Sequence, residues 1–275
     1  MVPKTFPIGG ERVVHRMGFG AMHLPASPDE ARRDAIAVAR RAVDLGVTLI
    51  DTAHLYGWGA NEELLAEALH PYPEELLIAT KVGVAPPTPA HEADLCGRPE
   101  FLRAQVDDGL RRLRLERLDL LQLHRVDPKV PLADQVGTLR DLRDAGKIGH
   151  IGLSEVTVAQ LQEAREIVEI ASVQNRYSLL DREHEAVVDA CAAAGIAFLP
   201  WRPVHPATLS RDADGRGAVA SELGATPAQV ALAWLLHRSP VILPIPGTAS
   251  LAHLEENLAS VHLDLTEEQR ARLEG

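Results

Sequence analysis

Cysteine and long apolar runs are scarce in this chain. Its 275 residues include two cysteines, Cys96 and Cys191, and neither lies in a CxxC pair, which excludes a disulfide framework. No uninterrupted apolar stretch approaches the ~20 residues of a membrane span. The N-terminal sequence MVPKTFPIGG lacks the basic segment and apolar run of a signal peptide. We therefore expect a reduced, soluble, cytoplasmic protein.

Positive charge is also in short supply. Twenty-eight Lys and Arg residues stand against 39 Asp and Glu residues, which gives a net charge of −11. This balance argues against nucleic acid and anionic membranes as main partners. No linker rich in proline or glycine divides the chain. We expect one domain over residues 1–275, present as a monomer or a weak homo-oligomer.

Short apolar runs of strand length recur along the chain, with helical segments between them. The expected strands are residues 16–22, 47–53, 76–82, 118–124, 148–154, 171–177, 196–201 and 241–247. Helix starts are marked by the expected capping box Ser27-Pro28-Asp29-Glu30, with proline at the first helical position, and by Thr157 with Gln160, Thr226-Pro227 and Ser250. Strand then helix, repeated eight times, predicts an α/β fold of the (β/α)₈ TIM barrel type.

A doubly wound nucleotide-binding sheet is the competing fold. It would place GxGxxG directly after the first strand, opening a helix. Here GFGAMH has two glycines and then a histidine, and proline follows before any helix. The barrel is therefore favoured. The preceding segment TFPIGGERVVHR is typical of two short strands about Gly9-Gly10, so we expect a β-hairpin that covers the barrel floor.

Four ionisable residues fall where three consecutive predicted strands end. Asp51 ends the second strand, Lys81 the third and His124 the fourth, while Tyr56 follows Asp51 in the same loop. The chemistry of such barrels lies at the C-terminal ends of the strands, so these side chains are expected to meet at one mouth.

Together these groups are suited to protonating an oxygen on which charge develops. An ammonium near a phenol favours the phenolate, so we expect Lys81 to lower the pKa of Tyr56, with Asp51 holding Lys81 in place. His124 is placed to orient a carbonyl oxygen. The sequence contains no activated serine or cysteine, and its histidines lack zinc-ligand spacing, so no metal is expected.

At this point the chain resembles a known family. The segments DTAHLYGWGANEELLAEAL, IATKVG, LLQLHR, GKIGHIGLSEV, VQNRYSLL and PIPGTASLAHLEENL are similar, in order and across nearly the whole chain, to the aldo-keto reductases. Asp51, Tyr56, Lys81 and His124 match the family's catalytic tetrad. The resemblance implies a nicotinamide cofactor at the barrel top, a small carbonyl substrate, and Tyr56 as proton donor. The chain looks most like a compact bacterial branch that includes pyridoxal reductases.

The resemblance also implies a set of cofactor contacts beyond Asp51. They are Gly20, Ala21 and Met22 beside the nicotinamide, Ser154, Glu155 and Gln174 at its carboxamide, Trp201 on its face with Arg202 and Pro203 next in the chain, Gly247, Thr248, Ser250 and His253 at the phosphates, and Glu256 and Asn257 at the adenine. A long loop within residues 210–224 corresponds to the family's cover over the pyrophosphate.

Two departures from the family pattern are visible. Glu155 stands where the family usually has asparagine. Many members of the family have a lysine and an arginine that bind the 2′-phosphate. At those positions this chain has Gly247, Thr248, Ala249 and His253. We therefore expect NADPH as cofactor with a reduced preference, and NADH as the alternative.

Other residues near the mouth leave the interpretation open. His23 and His54 are either substrate contacts or solvated loop histidines, and Trp58 is expected in the pocket wall. The charged run RRLRLERL at residues 111–118 is interpreted as a solvated helix end. An alternative function on the same fold is a cofactor-sensing regulatory or binding protein without turnover. A third possibility is a barrel that binds a different cofactor such as flavin. Such a barrel would lack the set Asp51, Tyr56, Lys81 and His124.

Overall fold

The N-terminal segment folds into a β-hairpin that closes one end of a barrel. The computed structural model describes residues 3–88, 92–205 and 216–275. Strands β1 (Thr5–Ile8) and β2 (Arg12–His15) pair antiparallel, and the turn between them contains Gly9 and Gly10, both with positive φ. The expected hairpin is confirmed. None of the helices within the described ranges is long and apolar enough to span a bilayer.

Seven parallel strands form a curled sheet. In chain order they are β3 (Phe19–Gly20), β4 (Leu49–Asp51), β5 (Leu77–Val82), β8 (Leu118–Leu123), β9 (Ile148–Ser154), β10 (Ser172–Gln174) and β11 (Ala197–Phe198). Neighbours in the sheet follow the order β11-β10-β9-β8-β5-β4-β3. A small antiparallel pair that the sequence did not reveal, β6 (Val84–Ala85) and β7 (Asp94–Leu95), lies outside this sheet.

Residues 241–247 close the barrel between its two edge strands. Leu243 N–H donates to the Phe198 carbonyl at 2.8 Å, and Gly18 N–H donates to the Pro244 carbonyl at 2.9 Å. The segment forms bridges rather than a regular strand because Pro244 and Pro246 have no N–H for a ladder. The (β/α)₈ barrel is thereby confirmed, with an irregular eighth strand.

Two glycines permit this closure. A Cβ on Gly20 would lie 2.7 Å from the Ile245 carbonyl oxygen, and one on Gly247 would lie 2.7 Å from the Gly20 oxygen. The backbones therefore approach each other more closely than any side chain allows.

Ten α-helices occupy the described residues. They are α1 (Asp29–Asp44), α2 (Ala60–Leu69), α3 (Pro99–Leu113), α4 (Leu132–Asp144), α5 (Val158–Ile167), α6 (Glu185–Ala194), α7 (Arg216–Glu222), α8 (Pro227–Arg238), α9 (Leu251–Ala259) and α10 (Glu267–Glu274).

Most of the expected helix starts are confirmed. Thr157 with Gln160 and Thr226 with Gln229 form complete capping boxes, and Ser250 accepts from the His253 N–H. The expected box at Ser27 is wrong: α1 begins at Asp29 with Pro28 as N-cap and no side-chain cap. Proline occupies the cap position itself, which leaves Ser27 one residue outside.

Alternation along the strands divides the core into two layers. Outward-facing strand residues pack with the helices in one large cluster. The barrel interior holds a second cluster that includes Ile8 and Val14 from the hairpin. The remaining members of this inner cluster are Leu49, Leu77, Ala79, Leu120, Ala171, Ala197, Leu199, Leu243 and Ile245. The floor is therefore apolar, and polar inward-facing positions lie toward the C-terminal ends of the strands.

Candidate active site

Lys81 is the centre of the polar layer above the apolar floor. Its side chain is fully buried, and its Nζ donates to Asp51 Oδ2 at 2.6 Å, to the Thr52 carbonyl at 2.8 Å and to the Tyr56 hydroxyl at 3.2 Å. Asp51 and Lys81 are inward-facing residues of the adjacent strands β4 and β5. The ammonium thus has three oxygen acceptors, which matches its three donors.

Two amide side chains saturate the other oxygen of Asp51. Gln174 Nε2 donates to Asp51 Oδ1 at 2.8 Å, and Gln122 Nε2 donates to it at 3.3 Å. The sequence interpretation missed Gln122, although the alternation Leu120, Gln122, His124 on one strand gives the signal for an inward side chain. Gln174 was expected at the cofactor carboxamide, and here its amide nitrogen supports Asp51.

Lys81 remains a cation in this layer. Burial alone would lower its pKa, but the charge of Asp51 and the hydrogen bonds to Asp51 and Tyr56 outweigh it, so the pKa of Lys81 lies above its ordinary value. Asp51 thereby fixes both the position and the charge of the ammonium.

Tyr56 faces Lys81 on one side and His124 on the other. The Tyr56 and His124 rings meet edge to face, with centroids 6.2 Å apart. Burial raises the pKa of the Tyr56 phenol above its ordinary value, and the nearby Lys81 charge offsets this only in part. The expectation of a lowered pKa is wrong, because desolvation of the phenolate outweighs the ammonium. Tyr56 therefore keeps its proton at neutral pH.

His124 is held in its neutral form. Burial, with the charges of Lys81 and Arg125 adding to it, lowers the pKa of His124 to about 2. A neutral imidazole retains one N–H donor, which is the form needed to hydrogen-bond an oxygen acceptor.

Tyr56 and His124 line a cavity of about 640 Å³ at the mouth of the barrel. Thirteen of the expected cofactor positions line the same cavity: Gly20, Met22, Asp51, Ser154, Gln174, Trp201, Arg202, Pro203, Gly247, Thr248, His253, Glu256 and Asn257. The other three expected positions, Ala21, Glu155 and Ser250, do not line it, and Ala21 is fully buried. A cavity of about 710 Å³ at the opposite end of the barrel contains none of the expected residues.

Glu155 does not line the cavity but supports a residue that does. Its Oε1 accepts from the indole N–H of Trp201 and, at 2.8 Å, from the backbone N–H of Arg176. The Glu155 backbone has a φ of 55°, and its N–H donates to the Gln174 carbonyl at 3.0 Å. The Glu155 carboxylate thus holds the Trp201 indole in position and does not itself face the cavity.

Two hydroxyl groups lie at the start of α9, of which Thr248 lines the cavity and Ser250 caps the helix. Thr248 Oγ1 accepts from the Ser250 N–H at 3.0 Å, and Ser250 Oγ accepts from the His253 N–H at 3.4 Å. Each hydroxyl hydrogen remains available as a donor. Further along α9, Glu256 accepts from the Thr226 hydroxyl. Residues 206–215, which include the first six residues of the expected covering loop at 210–224, lie outside the described residues, and the remainder of that segment mostly forms α7 (Arg216–Glu222).

The three expected substrate-pocket residues separate in the structure. His23 lines the cavity, whereas His54 and Trp58 do not. His54 contacts the Trp58 ring edge at a centroid distance of 6.1 Å and is hydrogen-bonded to Arg112. The interpretation of residues 111–118 as solvated is wrong for Arg112, whose side chain is 8% exposed and paired with Glu62.

Arg125 is a cavity residue that the sequence interpretation missed. It follows His124 directly, and its Nη1 donates to the His124 carbonyl at 2.9 Å and to Ser154 Oγ at 3.2 Å. Its position one residue beyond a strand end was the available signal. Throughout residues 3–88, 92–205 and 216–275, no group of three His, Cys, Asp or Glu side chains is arranged to hold a metal ion.

Comparisons with known proteins find a matching family model and similar chains. The model of the Aldo/keto reductase family matches residues 16–275. An uncharacterised oxidoreductase of Schizosaccharomyces pombe is 44% identical over 96% of this chain and 87% of its own. Pyridoxine 4-dehydrogenase of Escherichia coli is 41% identical over 100% of this chain and 99% of its own. An aldo/keto reductase of Klebsiella pneumoniae, solved with NADP and acetate, superposes with a TM-score of 0.84 at 28% identity, covering 99% of this chain and 94% of that one.

Proposed function

The chain belongs to the aldo/keto reductase family and is an oxidoreductase of its NAD(P)H-dependent type, and from that premise we propose that it reduces aldehydes or ketones to alcohols, with Tyr56 as the proton donor. One observation carries the proposal: the buried Lys81 ammonium joins Asp51 to the Tyr56 hydroxyl at the wall of the cavity. The pair Tyr56 and His124 then offers two donors to a carbonyl oxygen.

The residues around the cavity fit a nicotinamide dinucleotide phosphate. Thr248 lines the cavity and keeps a hydroxyl donor, and it lies just before the helix that starts at Leu251, where helix N-termini favour phosphate. His253 and Arg202 add basic side chains to the lining. Once bound, the dinucleotide supplies the hydride. The NADP present in the Klebsiella pneumoniae relative supports NADPH as first choice, with NADH as the alternative.

The chain's own residues handle the proton. Tyr56 keeps its hydroxyl proton until a carbonyl oxygen beside it gains negative charge, and then transfers it to that oxygen. The Lys81 ammonium at 3.2 Å stabilises the phenolate that remains, and Asp51 keeps Lys81 charged. Neutral His124 donates a hydrogen bond that orients the same oxygen.

The substrate proposed is a small carbonyl compound, with a pyridoxal-like aldehyde as one option. The name of the Escherichia coli relative, pyridoxine 4-dehydrogenase, supports that option. Only residues 124–131 separate β8 from α4, so this loop adds little over the mouth. We therefore expect a broad range of small carbonyls with modest affinity. A submicromolar KM with sharp selectivity for one substrate would contradict this.

The experiment is cofactor oxidation with NADPH and NADH, measured side by side over a panel of aldehydes and ketones that includes pyridoxal. The chain lacks the usual two basic residues for the 2′-phosphate, and each charge-assisted bond is worth roughly 1.5–3 kcal/mol. We expect turnover with a preference for NADPH of about tenfold to a hundredfold. Tighter binding of NADH would overturn the cofactor choice. Tight dinucleotide binding without turnover would favour the cofactor-sensing regulatory alternative.

A further inference from the structure

A buried ion pair joins α2 to α3, the two helices that follow the Tyr56 loop in the chain. Arg112 Nε on α3 donates to Glu62 Oε2 on α2 at 2.7 Å. The side chains are 8% and 1% exposed, respectively. Neither residue lines the cavity, so the pair has no direct role at the reacting atoms.

This pair is hydrogen-bonded both to the strand that carries Lys81 and to the loop that carries Tyr56. Glu62 Oε1 accepts from Thr80 Oγ1 at 2.5 Å, and Thr80 directly precedes Lys81 on β5. Arg112 Nη2 lies 3.1 Å from His54 Nδ1, and His54 is two residues before Tyr56. A continuous chain of hydrogen bonds thus runs from the strand of Lys81 to the loop of Tyr56.

The loop backbone is shaped around the Arg112 side chain. Gly59 has a φ of 98°, and a Cβ there would lie 2.6 Å from Arg112 Nε. Gly57 and Trp58, between Tyr56 and Gly59, also have positive φ values of 63° and 55°. Conformations of this kind persist where the surroundings hold them, and the Arg112 side chain is the surrounding group that a Cβ at Gly59 would meet.

Stability alone is a weak reason for such a pair. The cost of desolvating two charges offsets much of their attraction, and apolar residues of similar volume often serve as well. An apolar pair would not reach His54, because arginine supplies several donors in a fixed fork. The directional bond to the loop is what the charged pair adds.

The bond requires a neutral His54 whose Nδ1 accepts, since arginine only donates. Burial lowers the pKa of His54, and the charge of Arg112 acts in the same direction, while Glu62 and Asp108 oppose it. The neutral ring is therefore the form at neutral pH.

We infer that Arg112, held by Glu62, is a positioning residue that fixes His54 and through it sets the Tyr56 hydroxyl against Lys81. The inference rests on the proposed function for its effect on rate, but not for its effect on the environment of Tyr56. Both effects are measurable.

The test uses four variants of the full chain. Arg112→Met removes the bond to His54 but leaves Glu62 buried and unpaired, which endangers the fold. His54→Leu removes the same bond and leaves the ion pair intact. His54→Asn restores an acceptor near the Nδ1 position. Arg111→Met is the matched control, because Arg111 neighbours Arg112 on α3 but is 69% exposed and bonds to Asp108 at the surface.

For the rate, we expect Arg112→Met and His54→Leu to lower kcat roughly tenfold to a hundredfold, since small displacements of a catalytic group have effects of this size. Cofactor affinity and KM should change less than about threefold, because neither residue lines the cavity. His54→Asn and Arg111→Met should stay near wild type. The double variant Arg112→Met/His54→Leu should be no slower than the slower single variant. Normal kcat in folded His54→Leu would overturn the inference.

The environment of Tyr56 gives a readout that needs no activity. The chain has three tyrosines, so isotope-labelled tyrosine gives three resonances, and Tyr56→Phe identifies one of them. In wild type that resonance should titrate above the ordinary tyrosine range, and in His54→Leu its titration midpoint should move, because both the burial of the phenol and its distance to Lys81 then change. Tyr177, fully buried elsewhere, is the internal reference. An unchanged Tyr56 titration would overturn the inference even if no carbonyl were ever reduced.

Discussion

Replacing Tyr56 by phenylalanine removes one hydroxyl from the site and leaves the ring in place. Lys81 then loses its acceptor at 3.2 Å but keeps Asp51 and the Thr52 carbonyl. Since the ammonium stays paired, we expect the melting temperature to change by less than about 4 °C, which corresponds to about 1 kcal/mol for a chain of this size class. His124 still contacts the ring edge.

The loss should therefore fall on the chemical step. Removing a general acid typically lowers the rate by about 10²–10⁴-fold, or about 2.7–5.4 kcal/mol of transition-state stabilisation. The assay is NADPH oxidation with a saturating aldehyde, with cofactor affinity measured in parallel by fluorescence. Affinity should be preserved, because the hydroxyl is not needed to hold the dinucleotide.

Tyr72→Phe is the matched control for this substitution. Its hydroxyl donates to the Leu113 carbonyl at 2.9 Å, remote from the cavity, so the same chemical change should leave the rate normal. A Tyr56→Phe enzyme that turns over at nearly the wild-type rate would refute the assignment of Tyr56 as proton donor. Equal losses in both variants would point to a general effect of removing a buried hydroxyl.

Three further substitutions test other parts of the site. Lys81→Met should abolish most activity. It should also lower the free energy of unfolding by about 3–5 kcal/mol, because Asp51 is left buried without its cation. Unfolding of the variant at the wild-type midpoint in denaturant would contradict this. His253→Ala should weaken NADPH affinity and leave NADH affinity unchanged, because His253 lines the same cavity as Thr248 and its ring can donate to a phosphate oxygen; equal weakening of both dinucleotides would exclude His253 from the phosphate site. Gly247→Ala should destabilise the barrel by about 1–3 kcal/mol in thermal unfolding, since its Cβ would lie 2.7 Å from the Gly20 oxygen. An unchanged melting temperature would show that the backbones at Gly20 and Gly247 can move apart at no cost.

The parts of the site that depend on strand alternation were predictable from the sequence. Asp51 and Lys81 stand at inward positions of adjacent strands, and a parallel barrel brings such positions together whatever the details of packing. Thr157 and Thr226 were predictable for a similar reason, because a capping box is a contact between residues three apart. Sequence patterns therefore predict a contact when its two residues are close in the chain or occupy equivalent positions in neighbouring β/α repeats.

Arg112 shows where such reasoning fails. A run of basic and acidic letters at a helix end usually marks solvent, and nothing near Arg112 in sequence contradicts that interpretation. Its partner Glu62 is 50 positions away, on a different helix. Only the packing of α2 against α3 brings the two together, so the local pattern carries no sign of the pair. Glu155 is similar, because its hydrogen bond to Trp201 joins residues 46 positions apart.

The error over the pKa of Tyr56 has a different cause and bears on the direction of the reaction. The residue types alone favour a phenolate, since they place an ammonium beside a phenol, but they do not reveal how deeply the phenol is buried. With burial included, the phenol is the stable form, and the Lys81 charge becomes useful only when the proton has left. A group that begins protonated and is stabilised after proton loss is an acid, not a base, at the start of the cycle. The same burial would disfavour the phenolate needed to oxidise an alcohol at neutral pH. Reduction should therefore be the faster direction near neutrality, and alcohol oxidation should require a higher pH.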